Sequence, residues 1–144
     1  MVKVEYPPYE FKIKEEDDKE LIFDEIRKRW VRLTPEEWVR QNIIQYLIKV
    51  KKYPSSLMAV EKEIKLNDLR KRCDVVVYKN EKPWMIIECK EMNELLNENV
   101  LMQCLRYNIP LAAQYIAITN GSYTHVWSIS QQHEKEEPQF PDYN

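Results

Sequence analysis

Apolar and polar residues alternate with a period that changes along the chain, and each change marks an element. Tyr9 to Lys14 and Leu21 to Ile26 carry short strand-like alternations around the acidic run Glu15-Glu16-Asp17-Asp18, which reads as a turn. The period then lengthens. Val39, Ile43, Leu47 and Val50 recur at helical spacing, predicting a helix from Thr34 to about Lys52, with Pro54 as its stop. Thr34 can cap that helix, Pro35 suits its first position, and Glu37 stands at capping-box spacing. Three strands come next. Leu57 to Lys65 alternates apolar and charged residues, while Cys73 to Tyr78 and Trp84 to Lys90 are more continuously apolar and so more deeply buried. A second helix is expected from about Asn93 to Asn108, closed by Pro110. Two further strands, Gln114 to Thr119 and Thr124 to Ile129, flank Asn120-Gly121, a favoured tight hairpin turn.

A helix crossing over between strands requires at least one parallel pair, which gives an α/β or α+β sandwich. The 144 residues suffice for one domain, taken as residues 1–130. Residues 131–144, rich in Gln, Glu, Lys and Pro, read as a flexible charged tail. Composition narrows the function classes. A single glycine, Gly121, excludes both a dinucleotide-binding turn and a Walker-type phosphate loop, so no nucleotide partner is expected. No apolar run approaches the length of a membrane span and the first residues lack a secretory core, so the expected location is the cytoplasm, away from membrane. Cys73, Cys89 and Cys104 form no CxxC pair and read as buried, reduced thiols. The net charge of −2 carries no global signature of nucleic-acid binding, which leaves local clusters and a metal ion as its only routes.

Chemistry concentrates between Arg72 and Lys90. Charges inside apolar strands are costly and need a partner or a task. Glu88 and Lys90 point to one face of their strand, Ile87 and Cys89 to the other. With a three-residue turn at Asn80, Glu81 and Lys82, Asp74 lies opposite Glu88 and Cys73 opposite Cys89. Two facing carboxylates about 5 Å apart at their β-carbons repel one another unless a cation intervenes. Mg²⁺ or Mn²⁺ would satisfy them through oxygen ligands. Lys90 would then set an ammonium beside the ion, an arrangement suited to metal-assisted phosphodiester hydrolysis. A structural ion-pair cluster at a sheet end reads equally well from spacing.

Asp74 followed by Glu88-Cys89-Lys90 across a hairpin resembles the D…(D/E)xK core of the PD-(D/E)xK nuclease superfamily, with Cys73 where the superfamily name has proline. Gln103-Cys104-Leu105-Arg106-Tyr107 resembles the QxxxY motif of RecB-like nucleases and type I restriction motor subunits. With Thr34-Pro35-Glu36-Glu37-Trp38-Val39-Arg40-Gln41 and Thr119-Asn120-Gly121, the stretch from Leu21 to Ser128 most resembles the N-terminal nuclease domain of type I restriction-enzyme R proteins. The resemblance implies a restriction-endonuclease-like αβββαβ core with a central mixed sheet flanked by helices. It also implies a Mg²⁺- or Mn²⁺-dependent DNA nuclease. Asp74, Glu88 and the Cys89 carbonyl would ligate the metal, and Lys90 would orient water and stabilise charge. Glu37 would approach as an accessory acid, with a capping-box role as its alternative. Gln103 and Tyr107, one helical turn apart, would line the cleft and touch Lys90 or a DNA phosphate.

Arg70 and Arg72, with the clusters at Arg27-Lys28-Arg29 and Lys49 to Lys52, could hold phosphates. The motor and DNA-reading parts of a type I enzyme are absent from the sequence, which points to a homodimer or to subunits of a restriction or repair complex. A non-catalytic DNA-binding or assembly module is the alternative function.

Overall fold

The computed structural model describes all of residues 1–144. A small antiparallel sheet comes first, with strands β1 (Ile13–Glu16), β2 (Lys19–Asp24) and β3 (Arg29–Arg32) in that order. Helix α1 (Pro35–Lys49) leads into β4 (Met58–Leu66), β5 (Leu69–Lys79) and β6 (Lys82–Cys89). Helix α2 (Glu98–Asn108) then returns the chain to β7 (Tyr115–Thr119), β8 (Thr124–Ser130) and β9 (His133–Glu137). Strands β4 to β9 form one six-stranded sheet in sequence order. Only β6 and β7 run parallel, as the α2 crossover demands, so the sheet is mixed and the fold is α+β with an αβββαβ order from α1 to β7. No helix is long and apolar enough to cross a membrane.

The helices cover opposite faces of the sheet. Val39, Ile43 and Leu47 of α1 pack on Val75, Val77, Met85 and Ile87. On the other face Leu101, Cys104 and Leu105 of α2 pack on Ile116, Ile118 and Trp127. Val76 and Ile86 point away from α1 into a further cluster with Leu111 and Ala113. Strands covered on both sides have no solvent face, which is why Val75-Val76-Val77 and Met85-Ile86-Ile87 are apolar without alternation. Burying each such side chain contributes roughly 1.5–3 kcal/mol.

Several boundaries differ from the sequence-based expectation. Thr34 caps α1 by accepting the Glu37 N–H at 3.0 Å, but the helix ends at Lys49 and Val50 is 46% exposed, outside the buried stripe. Helix α2 starts at Glu98, where the Asn97 side chain accepts the Val100 N–H at 2.9 Å and fixes the first turn. β3 carries no sequence signal, because the four residues Arg-Trp-Val-Arg are too short to show a period. Asn120-Gly121 is not a two-residue turn. Thr119 pairs with Thr124, so the loop spans Asn120 to Tyr123, and the Asn120 Oδ1 accepts the Ser122 and Tyr123 N–H groups.

The β5–β6 hairpin reaches its expected register by another route. Asn80 and Glu81 form a two-residue turn, both at positive φ, and Lys79 pairs with Lys82. An irregularity between Val77 and Tyr78 then adds one residue to the β6 side, so Val75 faces Ile87 as a three-residue turn would require. The shared buried face expected for Cys73 and Cys89 is not formed. Glu61 of β4 adopts φ +50° between the Val60–Val75 and Lys62–Cys73 pairs, interrupting the ladder opposite Asp74. Cys73 joins the cluster of Val76 and Ile86, while Cys89 packs beneath α1, and all three cysteines are free and buried.

Residues 131–144, expected as a flexible tail, pack against the body of the domain. β9 extends the sheet, Phe140 is 1% exposed beside Tyr46, and the Tyr143 hydroxyl donates to the Tyr78 carbonyl at 2.8 Å. The charges of this stretch line an edge strand, and Phe140 and Tyr143 are the aromatic contacts of the seven residues after it.

Candidate active site

Beyond the Val75–Ile87 pair, β5 and β6 carry Asp74 and Glu88, and Lys90 stands just past the end of β6. The Lys90 N–H donates to the Thr119 carbonyl at 2.8 Å, so the parallel pairing with β7 continues to the very residue that bears the amine. Asp74, Glu88 and Lys90 line one cleft of about 430 Å³, walled by Gln103 and Tyr107 of α2 and by Glu36 of α1. Their side chains are 23%, 21% and 28% exposed, buried enough to be partly desolvated yet open to a ligand.

The two carboxylates sit in opposite electrostatic settings. Burial pushes Asp74 up to about 6; the Cys89 N–H, donated to Oδ2 at 2.7 Å, opposes the rise, and the negative charge of Glu36 adds to it. Arg40 Nη1 stands 3.5 Å from Oδ1. Glu88 is lowered instead. Burial would raise it, but the Cys104 thiol donates to Oε2 at 2.8 Å, Lys90 Nζ lies 3.1 Å away, and Asn108 donates to Oε1 at 3.2 Å. Cys104 is pushed up to about 12 by burial and by Glu88, and so remains a protonated donor. Burial alone would lower Lys90, but the Glu88 charge outweighs it and the amine is raised, hence held as an ammonium.

Glu37 lies elsewhere. It is 4% exposed, with Oε1 accepting from Arg27 at 2.7 Å and Arg40 at 2.6 Å, and Oε2 from Arg40 and Gln41 at 3.0 Å each. Burial would raise it, but these donors hold it down at about 2. An acid so fully engaged does not face the cleft; its neighbour Glu36 does. Arg72 lines the cleft while bound to Glu61 at 3.0 Å. Arg70 does not line it: it stands outside on β5, exposed and paired across to Lys65. Tyr107 is clamped from β5 by Lys71, whose amine donates to its carbonyl and lies 3.7 Å from its ring centroid.

Sequence reading missed Glu36, Arg40, Cys104 and Asn108. Cys104 and Asn108 left a signal, since they stand four apart on the buried stripe of α2, where a polar residue needs a partner. Arg40 left none beyond its neighbour Glu37, because Glu61 and Asp74 reach it from β4 and β5. No three His, Cys, Asp or Glu side chains cluster as a ready-made metal site. Asp74 is nonetheless short of positive charge. Asp24, Glu37, Glu61 and Asp74 share three guanidinium groups, those of Arg27, Arg40 and Arg72, and Asp74 has only the 3.5 Å contact.

A mixed α+β domain with a carboxylate–lysine cleft where β5 and β6 meet α2 is thus the class defined by fold and site. The family model for the type I restriction enzyme R protein N terminus (HSDR_N) matches residues 35–141, from the start of α1 past β9, and the chain belongs to that family. No curated protein matches the chain.

Proposed function

We propose that the chain is a divalent-metal-dependent DNA nuclease of the PD-(D/E)xK type, hydrolysing phosphodiesters at the Asp74–Glu88–Lys90 cleft. The observation that carries this reading is the Asp74 carboxyl, desolvated and short of a cation, beside an ammonium and a second carboxylate in one open cleft. Membership in the restriction-enzyme family supports DNA as substrate and a larger complex as the setting. Two carboxylates suit Mg²⁺, which is ordinarily held by one or two carboxylates together with water and substrate phosphates. Asp74, Glu88 and the Cys89 carbonyl would hold it, or Mn²⁺ in its place. When bound, the ion polarises the phosphate and offsets charge developing on it.

The rest of the chemistry belongs to the protein. Lys90, kept protonated by Glu88, serves as a donor to the phosphate and stabiliser of developing negative charge, not as a general base. Cys104 and Asn108 fix the Glu88 carboxylate from below. Gln103, the exposed Tyr107 and Arg72 line the cleft and would present polar atoms to a passing strand. A second reading, a non-catalytic DNA-binding or assembly module, is favoured by one fact: Glu88 already has three donors and Lys90 a partner, as in a structural cluster.

Cleavage of plasmid and single-stranded DNA with Mg²⁺, Mn²⁺ or EDTA separates the two. The nuclease reading expects metal-dependent cleavage that falls about 10²–10³-fold in Lys90→Ala, the usual cost of one transition-state donor. DNA retention without cleavage, unchanged by that substitution, contradicts it.

A further inference from the structure

Arg40 projects from α1 into the interior and is 4% exposed, a burial that an arginine tolerates only when its charge and its donors are taken up. They are. Nε donates to Glu37 Oε2 at 3.0 Å and Nη2 to Glu37 Oε1 at 2.6 Å, a two-point grip that fixes the plane of the guanidinium. Nη2 also reaches Glu61 Oε1 at 3.2 Å. Glu37 is itself held by Gln41 and by Arg27, which binds Asp24 of β2. The remaining nitrogen, Nη1, is thereby aimed at Asp74 Oδ1, 3.5 Å away, while the Cys89 N–H holds Oδ2.

We propose that Arg40 is a positioning residue for Asp74: gripped by Glu37, it fixes the carboxylate in the orientation that presents its free lone pairs to a divalent cation. This inference rests on the nuclease reading above and adds a residue, and a role for Glu37, that the reading does not need. Groups behind a ligating carboxylate commonly change metal affinity by about 10–100-fold when removed. A guanidinium acting only through its charge would repel a second cation, and its loss would tighten metal binding. The sign of the change therefore separates orientation from charge.

The test measures Mn²⁺ binding to the whole chain by titration calorimetry, below the melting temperature of every variant, beside DNA cleavage. Arg40→Lys retains charge without the planar fork, and Arg40→Met removes both. Both are expected to weaken Mn²⁺ binding about tenfold or more and to lower kcat while KM for DNA holds. Phe140→Ala, in the core away from the cleft, lowers Tm but leaves Mn²⁺ affinity unchanged. Unchanged or tighter Mn²⁺ binding in Arg40→Lys overturns the proposal, as does an equal loss in Phe140→Ala, which would trace the effect to general loosening. Should Arg40→Met fail to fold, Arg40→Lys decides alone. A wild-type protein that neither binds Mn²⁺ nor cleaves DNA overturns this inference together with the nuclease reading. Binding abolished by Asp74→Asn but indifferent to Arg40 overturns this inference only.

Discussion

Asp74 and Glu88 carry the same functional group into the same cleft, and their surroundings move them in opposite directions. Glu88 has a thiol, an amide and an ammonium around it; Asp74 has one backbone N–H and a single guanidinium nitrogen 3.5 Å away. Glu37 lies at the far extreme, held down at about 2 from its usual 4.5 by two arginines and a glutamine. Its folded value is depressed, so the stability it confers is full above pH 4.5 and is lost as pH falls toward 2. The shift is worth up to about 3 kcal/mol. Urea unfolding of wild type and Glu37→Gln across that range should show the wild-type advantage shrinking with acid; a constant difference would contradict the ion-pair account. That Asp74, Glu88 and Lys90 share one cleft was legible because strand alternation depends only on local sequence. Glu37 was not, because an acid at capping-box spacing looks the same whether it closes a cap or binds Arg27 and Arg40.

At the scale of elements, α1, α2 and β4 to β8 were visible because burial sets their pattern, a helical stripe in the helices and apolar runs or alternation in the strands. What failed were ends and turns. The β5–β6 turn and its irregularity offset one another, so the predicted register emerged from the wrong turn length. β9 and the residues after it were hidden because an edge strand need bury little: His133–Glu137 is polar throughout, and the anchoring falls to Phe140 and Tyr143. Phe140→Ala should therefore cost about 3–5 kcal/mol, as for other buried phenylalanines. That is a large share of the roughly 5–15 kcal/mol typical of a domain, and denaturant midpoints will report it. A loss below about 0.5 kcal/mol would return the segment to the status of a surface tail.

For the whole molecule, the α2 crossover is the decisive feature. By forcing β6 and β7 parallel, it lays Cys104 and Asn108 under Glu88 and brings Gln103 and Tyr107 to the cleft mouth. From the other side α1 contributes Glu36 and Arg40, so the acids sit between two helices that meet only through the sheet. The family match begins at α1, while the small N-terminal sheet lies outside it and is tied in through Arg27. The order of elements from α1 to β8 was readable from the sequence; the arginine chain linking the two sheets was not, since it depends on their packing. Anomalous scattering from crystals soaked in Mn²⁺ tests the central claim most directly. A single strong peak within reach of the Asp74 and Glu88 carboxylates is the predicted result. No peak in that cleft, with Lys90 still paired to Glu88, would contradict it.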